Sequence, residues 1–417
     1  MTLLLYKLGI QFYNLLLWTS APFHPKAKLW VHGRKDFFTG MAQKVSGNQA
    51  PVVWFHCASL GEFEQGRPVM EQIKQDYPGY KIALTFFSPS GYEIRKNYSG
   101  ADYIFYLPLD TPANAQQFIA LLKPKLAIFV KYEFWYYYLA ELHQQQIPVI
   151  SIAAIFRENQ LFFQPYGAFY RNILKLFTHL FTQDPESANL LLTHGIKQVS
   201  VAGDTRFDRV LQNAKAAKDI PIVEKFKNKE PIMVIGSSWL ADLRILLPFI
   251  QENLHKLKFI IAPHEINQSE MKEMLVQFSG KATRYSQASL ENVQDYRILM
   301  IDNIGLLASL YQYGSYAYIG GAFGKGLHNT LEAAVFGLPL FFGPVYTKFR
   351  EAVDLVKLGC AFPVKNTGEL HQQFERIFSD EIEQQRITKT ASQYVIQQAG
   401  ATSKIMAACE QWLPKTA

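Results

Sequence analysis

The chain has 417 residues, 49% of them apolar, 14% aromatic and 18% charged, with a formal net charge of +7. Such a composition fills large cores and argues against disorder, and the length allows two or three domains at ~100–200 residues each. Three cysteines without a Cys-x-x-Cys pair argue against a disulfide framework, the ten histidines show no zinc spacing, and the positive balance suits an anionic partner such as a nucleotide, a lipid surface or a nucleic acid.

The first predicted element is the apolar stretch Thr2–Trp18, in which Lys7, Gln11 and Asn14 recur at helical spacing and share one face. A span needs ~20 mostly apolar residues, and a signal peptide would place its charge ahead of the apolar region. With Lys26, Lys28, Arg34 and Lys35 close behind, the stretch reads as an interfacial helix on an anionic membrane. An ordinary helix packed on the body and a true span are the alternatives. Residues 1–36 are set apart on this ground.

From Pro51 onward short apolar runs alternate with helix-like segments. Strands are predicted at 52–58, 81–87, 103–108, 126–133, 148–154, 179–184 and 199–204, with helices such as Thr111–Leu122 and Pro185–His194 between them. This alternation predicts a parallel sheet covered on both faces. The polar, Lys-rich 211–230 reads as a linker with a short helix. The pattern restarts at 231–237, 258–264, 296–302, 316–322, 339–344 and 361–364, and the remainder reads as helices. The expected fold is α/β, with Rossmann-like domains at 37–210 and 231–417 facing a cleft. Ligands of such sheets bind outside the carboxyl ends of the strands.

Two motifs fall at such ends. In HCASLGE (56–62), Ser59 and Glu62 fit a capping box, yet Glu62 also lies where a ligand is expected. In YIGGAFGKGLHNTLEAAVFGLPLFFGP (318–344), Gly320, Gly321 and Gly324-Lys325-Gly326 let the backbone approach a ligand, and a helix starting near Asn329 would offer N–H groups to a phosphate. The loop fits neither a Walker A motif nor the dinucleotide fingerprint. Asn329 and Glu332 form a second capping box on paper; alternatively Glu332 accepts hydrogen bonds from a ribose diol. Ser237 and Ser238 fit either a phosphate contact or a helix cap.

These motifs resemble a known family. HCASLGE, YEFW (132–135), GDTRFD (203–208) and the block DNIGLLASLY…YIGGAF…GLHNTLEAAVFGLPLFFGP…FRE resemble H-x-x-S-x-G-E, x-E-L-W, G-x-x-K-F-D and the long C-terminal block of the GT-B glycosyltransferases that transfer 3-deoxy-D-manno-octulosonic acid (Kdo) in lipopolysaccharide synthesis. The likeness covers nearly the whole chain. It implies inverting, metal- and cofactor-independent transfer from CMP-Kdo to a lipid A precursor of the lipid IVA type, at the cytoplasmic face of the inner membrane. No nucleic-acid module is recognised.

The resemblance makes Glu62 the base for the acceptor hydroxyl, Glu133 a stabiliser of the transition state and Arg206 a clamp for the leaving phosphate or sugar carboxylate. Against these stand a cap for Glu62, an N-terminal helix carboxylate for Glu133 and a bridge to Asp204 or Asp208 for Arg206. For the donor it implies Ser237, Ser238, Pro263, His264, Ile304, Gly305, Leu306, Gly320, Gly321, Asn329, Thr330, Leu331 and Glu332. His56 packs or orients its loop, and LFFQPYGAFY (161–170) borders acyl chains or packs a core. The chain departs from the family pattern in Arg206 for Lys, Thr330 for Pro, Leu306 for Glu and a shorter 262–265 stretch. Another GT-B nucleotide-sugar enzyme, an epimerase included, and a non-catalytic lipid- or nucleotide-binding protein are the competing readings.

Overall fold

The apolar runs become strands buried on both faces. The computed structural model describes residues 2–324 and 326–414, so Lys325 of the glycine loop lies outside the described residues. Seven strands form the first sheet: β1 (Val52–Cys57), β2 (Lys81–Phe86), β3 (Tyr103–Tyr106), β4 (Pro124–Val130), β5 (Val149–Ala154), β6 (His179–Thr182) and β7 (Val199–Val201). All pair in parallel, in the order β3-β2-β1-β4-β5-β6-β7. Alternate residues of β1 serve opposite faces: Val53, Phe55 and Cys57 enter one core, Val52 and Trp54 the other. Two helices open as their sequences predict. Thr111 and Asp184 accept the N–H groups of Asn114 and Ser187, each ahead of a proline at the first helical position.

The second sheet comprises β8 (Ile232–Ser238), β9 (Lys258–Pro263), β10 (Ala282–Arg284), β11 (Ile298–Met300), β12 (Tyr316–Ile319), β13 (Leu340–Phe342) and β14 (Ala361–Pro363). It is also parallel, ordered β10-β11-β9-β8-β12-β13-β14. Strand β10 was not expected, because it sits at the sheet edge and only Thr283 of its residues is buried.

The domain boundaries differ from the expected 37–210, 211–230 and 231–417. One compact unit runs to Arg209 and recovers the chain from Ala399 onward; the other is Val210–Gln398. The segment 211–230 is no plain linker. The helix Thr205–Lys215 runs into it, and the helix Pro221–Lys227 buries Val223 and Phe226, with the ammonium of Lys258 on the Phe226 carbonyl at 2.8 Å. The last helix, Ala401–Cys409, packs on Leu60–Asp76 and adds Ile405, Met406, Cys409 and Leu413 to the core containing Phe55. Asp208 fastens its start by accepting the N–H groups of Gly400 (2.6 Å) and Thr402 (2.8 Å).

The N-terminal helix, Thr2–Ser20, buries none of its residues. Tyr6, Ile10 and Leu17 rest partly on the body, Tyr6 donating its hydroxyl to Asp110 and Tyr13 stacking on Phe87. The opposite side is an exposed apolar row of Leu4, Leu5, Leu8, Phe12, Leu15 and Leu16, with Lys7 and Gln11 along one edge. No helix among the described residues is long and apolar enough to cross a membrane. Arg34, expected in the basic flank, instead turns inward. It donates to the carbonyls of Leu107 and Phe87 at 2.8 Å and lies 4.0 Å from the Trp30 ring centre.

Candidate active site

Near its middle each sheet has a place where the strand order reverses, and there a crevice at the carboxyl ends is expected. In the first sheet that place lies between β1 and β4. The segment 56–62 leaves β1, and the segment 131–135 leaves β4.

Ser59 has extended backbone and begins the helix Leu60–Asp76. The Glu62 carboxylate turns back onto the N–H of Ser59, at 3.1 Å, and that of Ala58. It therefore caps, as the spacing predicts. Both bonds fall on Oε2 and neither uses Oε1. Burial, followed by the negative charge of Glu133, raises the Glu62 pKa to about 7, against the pull of the two N–H groups and Lys131. One side chain thus caps the helix and titrates near neutrality, the range a general base would need.

Glu133 is 8% exposed. It does not belong to a helix first turn, since the next helix starts at Tyr136. Instead Oε2 receives the indole N–H of Trp135 at 2.6 Å and meets His56 Nε2 at 3.1 Å. His56 is wholly buried, with Nδ1 2.9 Å from Thr85 Oγ1. Just before this pair Lys131 adopts φ +65°, an uncommon conformation for a side-chain-bearing residue and one that turns the chain sharply off β4. Arg206 follows Thr205 in its helix and places Nε and Nη2 on Asp204 at 2.8 and 2.7 Å, the bridge foreseen as the bland alternative. The fold therefore brings Glu62 and Glu133 together and fixes Arg206 on Asp204.

In the second sheet the reversal lies between β8 and β12. Ser237 has φ +53°, and Gly320 passes so close that a Cβ there would lie 2.2 Å from the Ser237 carbonyl oxygen. Gly321, at φ +98°, donates its N–H to Asp242 at 2.9 Å. Asp242 is buried and also accepts the N–H of Trp239 at 2.9 Å and the Tyr318 hydroxyl at 3.0 Å, so one carboxylate ties the ends of both strands. A cavity of about 320 Å³ opens here, bounded by Ser238, Trp239, Asp242, Glu265, Gly321 and Phe323. Beside it three rings stack, Trp239 on His264 at 4.2 Å and His264 on His328 at 4.4 Å. The Trp239 indole donates to His328 Nε2 at 3.0 Å, so that nitrogen carries no proton; burial and His264 lower the His328 pKa.

Of the expected donor residues, Ser238 and Gly321 line this cavity, Ser237 and Gly320 shape the strand crossing behind it, and Pro263 and His264 border it. Ile304, Gly305 and Leu306 form a separate loop after β11. Ile304 is 92% exposed and Gly305 is at φ +95°. The helix expected from Asn329 is only the turn Leu331–Ala334, too short for a helix-dipole argument. Asn329 accepts the Leu331 N–H and donates to Glu332 Oε1, both at 3.1 Å, a local capping contact. The buried hydroxyls of Ser238 and Thr330 have no hydrogen-bond partner among the described residues.

Sequence reasoning missed Trp239, Asp242 and His328. The Trp239-x-x-Asp242 spacing was the available signal for Asp242; nothing marked the other two. Among the described residues no three His, Cys, Asp or Glu side chains are grouped to hold a metal.

Residues 34–209 match the family model described as 3-deoxy-D-manno-octulosonic-acid transferase (kdotransferase). A 3-deoxy-D-manno-octulosonic acid transferase of Aquifex aeolicus is 30% identical over 352 residues, 83% of this chain and 90% of that protein. One of Haemophilus influenzae is 24% identical over 374 residues, 87% of each. Among solved structures, the UDP-GlcNAc 2-epimerase of Neisseria meningitidis, bound to UDP-GlcNAc, superposes with a TM-score of 0.60 at 16% identity, covering 86% of this chain and 99% of the epimerase. A putative UDP-N-acetylglucosamine 2-epimerase of Listeria monocytogenes gives 0.57 at 13% identity, covering 89% and 98%. At such identities the likeness is one of fold.

Proposed function

This chain belongs to the 3-deoxy-D-manno-octulosonic acid (Kdo) transferase family, and we propose that it moves Kdo from CMP-Kdo onto a lipid A precursor, with inversion and without a metal. It is a glycosyltransferase of GT-B fold. In the proposed reaction the acceptor hydroxyl forms a bond to the anomeric carbon of Kdo while the bond from that carbon to the CMP phosphate breaks. The hydroxyl proton goes to Glu62. The observation that carries this reading is the Glu62 carboxylate at the β1–β4 reversal, with a pKa about 7. Glu133, close by, is the proposed stabiliser of the positive charge that builds at the anomeric centre. Arg206, steadied by Asp204, is the proposed clamp for an anionic group of the donor.

The donor nucleotide is assigned to the second unit, around the cavity at Ser238, Trp239 and Gly321. The membrane reading draws support from the outward apolar row of the N-terminal helix, with exposed Lys7, Lys26, Lys28 and Lys35 to meet anionic headgroups. On this reading the protein works at the cytoplasmic face of the inner membrane. The test is mass detection of the product from CMP-Kdo and a tetra-acyl lipid A precursor. Absence of a Kdo-bearing product refutes the proposal. Tighter binding of UMP or GMP than of CMP would move the protein to a different donor.

A further inference from the structure

His56 is fully buried yet has a polar partner at each ring nitrogen. Its polar surroundings are two indoles, a hydroxyl and a carboxylate. An indole N–H can only donate, so Trp54 gives its proton to Thr85 Oγ1 at 2.8 Å, and Trp135 points its own between Glu133 Oε2 at 2.6 Å and His56 Nε2 at 3.1 Å. The indole proton lies nearer the carboxylate than the imidazole, and with it there Nε2 is set to donate to the same oxygen at 3.1 Å. At the other end Thr85 has two settings. Its hydroxyl donates to Nδ1 at 2.9 Å, or it turns to the Phe55 carbonyl at 3.2 Å and accepts from a protonated Nδ1. Both ring nitrogens keep a hydrogen-bond partner in either setting of the hydroxyl. The other ring facing it, Phe129 at 5.4 Å, is apolar.

From this geometry we infer that His56 is the positioning residue of the transfer reaction: seated on Thr85, it holds the Glu133 carboxylate in its place near Glu62. The inference rests on the reading of Glu62 and Glu133 as reaction residues. It has a consequence at Glu62, which faces Glu133, Lys131, the Cys57 thiol and the N–H groups of Ala58 and Ser59. Glu133 without its imidazole partner is no longer held beside Glu62. Glu62 then loses a neighbouring negative charge and releases its own proton at lower pH.

The experiment compares His56→Leu, His56→Gln and His56→Asn in the full-length enzyme, alone and combined with Glu133→Gln. It reads kcat against pH, CMP affinity and melting temperature. The leucine variant is expected to lose kcat by ~10-fold or more and to move the acid limb down by about half a pH unit or more, with CMP affinity unchanged. Glutamine, whose amide reaches Glu133, restores most of the rate; asparagine, which reaches only Thr85, does not. In the Glu133→Gln background the leucine change adds less than ~2-fold. Equal losses in both backgrounds, or an unmoved acid limb, overturn the inference and leave His56 a packing residue. If the leucine variant fails to fold, the glutamine–asparagine comparison decides, and equal rates overturn the inference. Full activity of Glu133→Gln alone removes the Glu133 role first, and this inference with it.

Discussion

Replacing Glu62 by glutamine separates its two duties. Oε2 accepts two backbone N–H groups, and a glutamine oxygen can accept them too, so the cap should lose at most ~1 kcal/mol. Proton acceptance is lost outright, and transfer should fall by ~10²-fold or more. Stability should move the other way. The folded-state pKa of about 7 lies above the ordinary 4.5, so the folded protein binds a proton that the unfolded chain has released. The resulting penalty is absent below the ordinary value, grows as pH rises between the two and is complete above about 7. At ~1.4 kcal/mol per pKa unit, and discounted for solvent around a half-buried group, it is roughly 1–3 kcal/mol. Glu62→Gln should therefore melt at or above the parent at pH 8, with that advantage vanishing toward pH 4. The parent enzyme should keep only about a tenth of its plateau rate at pH 6. Turnover, CMP affinity and melting temperature are measured on one preparation across pH 5 to 9. Near-normal turnover of the variant, or a parent rate flat between pH 6 and 8, refutes the base role and makes Glu133 the next candidate.

Asp242→Ala strips the acceptor from Trp239, Gly321 and Tyr318 at once, and should cost ~2–4 kcal/mol in thermal unfolding and weaken CMP binding; an unchanged melt with unchanged binding would deny that it ties the strand ends. Leu8→Glu with Phe12→Glu alters side chains that are 51% and 61% exposed, so the melt should hold while pelleting with anionic vesicles is lost. Retained pelleting would show that the apolar row does not face the membrane. Chelation with EDTA should leave turnover intact, and a loss that magnesium restores would contradict the metal-independent mechanism.

The strands were legible because a parallel strand covered on both faces reads as an unbroken apolar run, as in Val52–Cys57 and Ile232–Ser238. Strand β10 was not, since an edge strand with one buried residue leaves no such run. The amphipathic face of Ala401–Cys409 would suit either core, so spacing alone could not assign it. Glu62 was ambiguous because a capping carboxylate and a base look alike in sequence; the burial beside Glu133 that raises its pKa is set by the chain folding from β4 and leaves no mark near residue 62. At Asn329–Glu332 the expected capping box does not form: Thr330 takes the N-cap position, Asn329 instead accepts the Leu331 N–H and meets Glu332 through its amide, and the helix ends after one turn, shortly before Gly337 at φ +75°, a conformation that favours glycine. Arg34 looked like a surface cation because nothing in its neighbours announces the carbonyls of Phe87 and Leu107 that draw it inward.

The return of the chain from Ala399 into the first unit bears on how the protein is made. On the ribosome the first sheet emerges early, but the residues that seal one of its faces, Ala401, Ile405, Met406, Cys409 and Leu413, arrive only after the whole of Val210–Gln398 has been synthesised. Until then the apolar surface of Leu60–Asp76 has no lid, and the nascent first unit waits half-finished while its neighbour is translated. A nonsense codon late in the message would therefore damage the oldest part of the protein, and a gene fragment ending at Arg209 should yield an aggregation-prone product where Val210–Gln398 alone yields a soluble one.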